Sequence, residues 1–213
     1  GILIFLSLGA IAPLFQAGFF PVHDNTQVAR VVVMHKALSD GMFPVRWSDY
    51  LGYNYGYPIF NFYGPLAYYV GAGAQFIVHD PVIATKIMMG AAMVLAAFSM
   101  YYLARAVWGT LGGFVAAVFY LSIPYHALNL YVRGAIGELW AYAFLPLVFY
   151  GIYKLYITGR YRYFLVLAVS FAGIVLSHNI SALIMTPILG IIALLLCGIA
   201  EFRNIPPMNA QTM

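Results

Sequence analysis

Long apolar runs, separated by short polar or glycine- and proline-containing breaks, organise this chain from its first residues onward. The pattern predicts membrane-length helices over 2–20, 82–104, 109–127, 139–156, 162–178 and 180–199, each close to the twenty or so residues that cross ~30 Å of hydrocarbon. A further apolar stretch, Gly64 to Val78, is shorter, contains three glycines and carries Tyr68, Tyr69 and Gln75. Its length suits a re-entrant or interfacial helix better than a span. Between the first two runs, Val28, Val31, Val32, His35 and Leu38 recur at helical spacing after Val22-His23-Asp24-Asn25-Thr26-Gln27 and stop at Gly41, before Pro44. This predicts an amphipathic helix lying along the membrane surface. The expected fold is all-α: a polytopic membrane helix bundle of about six transmembrane helices, with juxtamembrane helices in the first outer loop. It forms a single membrane domain over 1–213, with 21–81 as that loop.

Composition agrees, since 64% of the 213 residues are hydrophobic and 8% are charged, with a mean hydropathy of +0.88. The net charge of +4 does not mark a nucleic-acid surface, because the basic residues are scattered singly or flank apolar runs, as orientation signals do. Lys154, Arg160 and Arg162 surround one short turn, which the positive-inside rule places in the cytoplasm. Counting from there, Arg105 and Arg203 also lie inside and 21–81 lies outside, provided that 64–78 does not cross. Every histidine and every acidic residue except Glu201 then falls on the outer side. The expected location is the cell membrane, multi-pass, with the first loop extracytoplasmic. Cys197 lies alone inside an apolar run and offers no disulfide framework or Cys-based zinc site. Residues 1–20 read as a first membrane helix rather than a signal peptide, lacking a basic n-region and a small-residue cleavage site. The start at Gly1 and the polar tail after Arg203 suggest a piece of a larger protein.

In so apolar a chain, ionisable groups point to chemistry or substrate contact. Asp24, with Gln27 three residues on, forms a variant capping box at the start of the surface helix. Capping and catalysis are compatible, since a carboxylate there is held rigidly and stays ionised. Trp47, Tyr50, Tyr53, Tyr55, Tyr57, Phe60, Phe62 and Tyr63 alternate with glycine and proline. They suit an interfacial aromatic belt, and equally a surface that packs on sugar rings. Arg133 and Glu138 bracket Gly134 and Gly137. They either bind a lipid phosphate and position a hydroxyl or cation, or form an ion pair that pins the turn. His178, in Ser177-His178-Asn179, is the remaining candidate on that side. No P-loop or dinucleotide fingerprint is present, and the histidines are too widely spaced for a zinc motif.

His23-Asp24, Phe43-Pro44-Val45-Arg46-Trp47, Tyr57-Pro58-Ile59-Phe60-Asn61-Phe62-Tyr63-Gly64-Pro65-Leu66, Arg133-Gly134-Ala135 with Glu138, and Ser177-His178-Asn179 together resemble the membrane domain named 6-pyruvoyl-tetrahydropterin synthase-related. In outline the chain also resembles the GT-C class of polyprenyl-phosphate-sugar glycosyltransferases. The pterin-synthase name is not expected to describe an activity, because a soluble α/β body with a compact histidine zinc site is not what these residues build. The GT-C resemblance implies sugar transfer from a polyprenyl-phosphate donor on the outer face. Asp24 would then be the general base and Arg133 the stabiliser of the leaving phosphate. His23, Glu138, His178, Asn179, Trp47 and Tyr57 would contact substrate, and a divalent cation remains open. The expected partners are a lipid-linked sugar donor and membrane lipids, with no nucleic acid; the oligomeric state stays open. The competing reading is a non-catalytic transporter or scaffold for a lipid-linked saccharide. It is disfavoured by an inner half that is almost purely apolar and by the absence of an inverted repeat.

Overall fold

The computed structural model describes residues 2–202. Arg203, the tail beyond it and the side chain of Glu201 lie outside the described residues. Among the described residues the chain is helical, with one isolated bridge between Ser48 and Tyr57.

Helix α1 covers Ile2–Ile11 and passes into a 3-10 turn over Ala12–Phe15. The sequence pattern predicts a continuous helix to residue 20. Pro13 has no N–H to offer the α-helical ladder, and the regular helix stops just before it. Helix α2 spans Gln27–Ser39. Its buried face is Gln27, Val31, Val33, Met34 and Ala37, while Val32 is exposed. The expected apolar stripe is therefore rotated: Val31 and Met34 are fully enclosed by protein, and the helix packs on the bundle. Gly71 makes this possible, because an added Cβ there would meet Val31 Cγ2 at 2.7 Å.

After the short helix α3, Ile59–Phe62, helix α4 runs over Leu66–Val78. Its 13 residues reach ~20 Å, short of the hydrocarbon thickness. Helix α5, Pro81–Ser122, contains 42 residues but is broken at Gly109, where φ is +75°. A straight helix of that length would measure ~63 Å, twice the membrane core. Instead the two halves fold against each other. The rings of Tyr101 and Phe114 lie 4.9 Å apart, tilted by 48°, and a Cβ on Gly113 would meet the Tyr101 carbonyl oxygen at 3.0 Å. This matches the division into helices near 82–104 and 109–127, except that the second half ends at Ser122. Ile123 precedes Pro124 and is extended rather than helical. A short helix α6, Pro124–Ala127, and a π-helical turn, Leu128–Arg133, follow.

Helices α7 (Ile136–Thr158), α8 (Tyr161–Ser177) and α9 (Asn179–Phe202) complete the described chain. Among the described residues, three helices are long and apolar enough to cross a membrane: Pro81–Ser122, Ile136–Thr158 and, within α9, Asn179–Leu196. The main core lies where α2, α4, α5 and α7 meet, around Met34, Tyr68, Met88, Met89, Met93 and Leu139. The two basic turns lie at one end of the bundle. Tyr150 of α7 contacts both Tyr102, three residues before Arg105, and Tyr163, whose ring lies under Arg162 and Lys154. The other end of α7 holds Glu138 and meets the first loop.

Candidate functional site

The first loop is fastened to the segment before α7 by backbone pairing. The N–H of His23 donates to the Val132 carbonyl at 2.9 Å and that of Asp24 to the Arg133 carbonyl at 3.0 Å. Gln27 Nε2 donates to the Gly134 carbonyl at 2.6 Å. Gly134 closes the π turn with φ +67°, and a Cβ there would meet Val22 at 2.9 Å and the Asp24 carbonyl at 3.0 Å. Glycine is required at this position by both conformation and space. Residues more than a hundred apart in sequence thus converge on one cleft of about 410 Å³, lined by His23, Asp24, Arg30, Tyr63, Arg133 and Ala135.

Asp24 is its acceptor. One carboxylate oxygen accepts from Thr26 Oγ1 at 2.8 Å. The other accepts from Gln27 Nε2 at 2.9 Å, Arg30 Nη1 at 2.8 Å and the Tyr63 hydroxyl at 3.1 Å. The capping box expected from sequence does not form: Thr26 occupies the N-cap of α2, without a side-chain cap hydrogen bond. Asp24 meets Gln27 through its side-chain amide instead. Burial pushes the Asp24 carboxyl up, but Thr26, the charge and hydrogen bond of Arg30 and the Tyr63 hydroxyl outweigh it, so the group sits below the ordinary 3.8.

Arg30 Nη1 also donates to the Tyr68 hydroxyl at 3.2 Å, and the guanidinium carbon lies 4.2 Å from the Tyr63 ring centroid. Tyr68 in turn donates to Gln27 Oε1 at 2.7 Å, so Gln27, Tyr68 and Arg30 brace Asp24 from behind. Burial works against the Arg30 charge, but Tyr68 and Asp24 more than restore it. Arg30 is not singled out by the sequence pattern, because it is one of two basic residues on the surface helix, with Lys36. Its spacing from Gln27, three residues on one face, was the available signal.

Arg133 is held from one side. Its Nη1 donates to the Tyr125 hydroxyl at 2.8 Å, Asn129 Oδ1 at 2.6 Å and Glu138 Oε2 at 2.8 Å. Glu138 Oε1 accepts from the hydroxyls of Tyr125 at 3.0 Å and Tyr142 at 2.9 Å. The ion pair between Arg133 and Glu138 is therefore real. The Glu138 side chain is 12% exposed and that of Arg133 43%, so Glu138 is the anchor and Arg133 the group presented to the cleft. The remaining N–H groups of Arg133 make no hydrogen bond among the described residues.

His178 and Asn179 adjoin this region without lining the cleft. The Ser181 N–H donates to His178 Nδ1 at 3.3 Å and the Ser181 hydroxyl lies 2.8 Å from the same nitrogen, capping the start of α9. Burial lowers the His178 pKa, Glu138 opposing and Arg133 assisting. Asn179 Nδ2 donates to the Phe62 carbonyl at 2.9 Å. Gly64 and Gly137 both press against the Ser177 carbonyl oxygen, the latter so that a Cβ would lie 2.5 Å from it. Trp47 and Tyr57 are elsewhere. Tyr57 pairs with Ser48 in a hairpin-like loop, its N–H donating to the Ser48 carbonyl at 2.9 Å, and Trp47 lies over Gly56. Neither lines the cleft.

Among the described residues no three His, Cys, Asp or Glu side chains come together as metal ligands. What the cleft does offer is a fixed carboxylate, a phenol and two guanidinium groups, which suits a ligand with both an anionic group and hydroxyls.

Residues 60–212 match a family model described as 6-pyruvoyl-tetrahydropterin synthase related domain, membrane protein. The matched stretch includes Tyr63, Arg133, Glu138 and His178 and begins after Asp24 and Arg30. A protein of Lactococcus lactis subsp. cremoris (strain MG1363), named there as uncharacterized, is 25% identical over 192 residues, covering 87% of this chain and 31% of that protein. The chain thus spans about a third of the length of the curated relative it matches. No solved structure matches.

Proposed function

The chain belongs to the 6-pyruvoyl-tetrahydropterin synthase-related family of membrane proteins, and from that premise we propose that it is the membrane part of a glycosyltransferase of GT-C type. In this proposal about six segments cross the bilayer: the first apolar run over 2–20, of which α1 is the helical start, the two halves of α5, α7, α8 and α9. The turns at Arg105 and Lys154 to Arg162 face the cytoplasm and the cleft faces outward. The observation that carries the proposal is the single cleft in which the Asp24 carboxylate and the unpartnered edge of Arg133 lie together.

The donor is a sugar joined through its anomeric carbon to a polyprenyl phosphate, with the phosphate against Arg133. The acceptor hydroxyl approaches Asp24. Its oxygen forms a bond to the anomeric carbon, the bond from that carbon to the phosphate oxygen breaks, and the electron pair leaves on the phosphate. The hydroxyl proton passes to Asp24. Arg133 stabilises the growing phosphate charge, and Glu138, Tyr125 and Asn129 hold it in place for that task.

The test is transfer of radiolabelled sugar from a polyprenyl-phosphate donor by the full-length protein. Asp24→Asn keeps the shape of the side chain but cannot accept the proton, and should lower transfer by about a hundredfold or more. Arg133→Lys should retain more activity than Arg133→Ala, because charge is kept while the planar fork is lost. Wild-type transfer by Asp24→Asn would remove Asp24 from the mechanism.

A further inference from the structure

Arg30 is bound to Asp24 by only one of its nitrogens. Nη1 serves both Asp24 and Tyr68, Nε is buried without a partner, and Nη2 makes no hydrogen bond among the described residues. A guanidinium can satisfy five donors, and its planar fork matches a phosphate as well as a carboxylate. Arg30 also lines the same cleft as Arg133, giving that cleft two guanidinium groups to one carboxylate. The stacking of Arg30 on Tyr63 lets the fork turn in its own plane while the ring contact persists. Asp24 does not depend on Arg30 for its place, since Thr26, Gln27 and Tyr63 also donate to it.

We infer that Arg30 is shared between Asp24 and a phosphate group entering the cleft, so that binding of the phosphate draws the guanidinium off Asp24 and frees that carboxylate to accept a proton. The inference rests on the phosphate-bearing substrate assigned to the cleft above, and adds a second phosphate ligand to it. A neutral sugar hydroxyl would not compete for Arg30, because a charge-assisted bond to a carboxylate is roughly twice as strong as a neutral one. A phosphate carries the charge needed to do so. While Arg30 stays on Asp24, the carboxylate is a weak base; with Arg30 on the phosphate, the base becomes competent only when the donor is in place.

The experiment measures binding of farnesyl phosphate, farnesol and inorganic phosphate to the full-length protein in nanodiscs, for wild type, Asp24→Asn, Arg30→Gln and the double variant. Removing the competing carboxylate should tighten farnesyl phosphate binding about tenfold in Asp24→Asn, and Arg30→Gln should weaken it by about as much. The double variant should bind as Arg30→Gln does, since without Arg30 there is nothing for Asp24 to withhold. Should Arg30→Gln fail to fold, Arg30→Lys takes its place, and the gain in Asp24→Asn remains decisive. Unchanged or weaker binding by Asp24→Asn, a gain that persists without Arg30, or farnesol binding as tightly as farnesyl phosphate would overturn the inference. Inorganic phosphate binding about a hundredfold more weakly than farnesyl phosphate identifies a lipid headgroup as the source, and equal binding identifies free phosphate; the Asp24→Asn gain is required in either case. If that gain is present but no sugar is transferred, the transferase proposal fails and the sharing of Arg30 stands. If sugar is transferred without the gain, the reverse holds.

Discussion

Glu138 holds the Arg133 side of the cleft together. It accepts from Arg133, Tyr125 and Tyr142 at once, so its loss releases all three. With charged hydrogen bonds worth ~1.5–3 kcal/mol each, Glu138→Ala should raise the KM for a lipid-phosphate donor roughly ten- to a hundredfold, and Glu138→Gln less, as it keeps an acceptor for the tyrosines. Steady-state kinetics with varied donor checks this; an unchanged KM in Glu138→Ala contradicts the positioning role. Asp24 carries a pH prediction of definite sign. Burial raises its carboxyl, but its donors lower it further, below 3.8. A depressed carboxyl contributes stability above its ordinary pKa and loses it as pH falls through the folded value. The difference in Tm between wild type and Asp24→Asn should therefore hold steady from about pH 7 to about pH 5 and shrink progressively below that, as the carboxyl protonates first in the unfolded chain and then in the folded protein. Thermal scans across pH read this directly, and a difference fading between neutrality and about pH 5 contradicts it.

At the scale of elements, glycine contacts decide which helices approach. Gly64, just before α4, and Gly137, in the first turn of α7, both meet the Ser177 carbonyl at the end of α8, whereas Gly73 faces open space. Gly64→Ala and Gly137→Ala should each cost about 1–3 kcal/mol through forced backbone shifts. Gly73→Ala should be neutral or stabilise by up to ~1 kcal/mol. Thermal stability of the three variants in detergent tests the set; a tolerated Gly137→Ala contradicts the junction. These contacts mark the limit of what the sequence discloses. Apolar length alone located α5, α7, α8 and α9, and the glycine content and shortness of Gly64 to Val78 foretold a helix too short to span. Pairing between residues more than a hundred apart has no local signature, so the seating of His23 and Asp24 on Val132 and Arg133 was not legible. Nor was the rotation of α2, because a stripe that packs on protein and one that packs on lipid have the same periodicity. His23, Asp24 and Arg133 were legible as a group because charge is scarce in this chain, and Arg30 was not, because its one local signal is the three-residue spacing from Gln27. Trp47 and Tyr57 stood out by aromatic density, which does not report where a loop folds.

For the whole molecule, the basic turns lie at one end of α7 and the cleft at the other, so the proposed orientation has a direct topology test. A cysteine at Asn25, which is exposed beside the cleft, should react in intact cells with a membrane-impermeant thiol reagent, and one at Thr158, exposed beside Gly159, should not. Reaction at Thr158 with protection at Asn25 would invert the proposed orientation. The central claim is that this cleft seats the phosphate and sugar of a lipid-linked donor. Its most direct test is an experimental structure of the full-length protein bound to a polyprenyl-phosphonate sugar, whose carbon link cannot be cleaved. The account predicts the phosphonate oxygens at about 3 Å from the guanidinium of Arg133, with Arg30 turned toward them and the anomeric carbon on the Asp24 side. A phosphonate bound elsewhere on the bundle, with Arg30 still on Asp24 and Arg133 untouched, would contradict it.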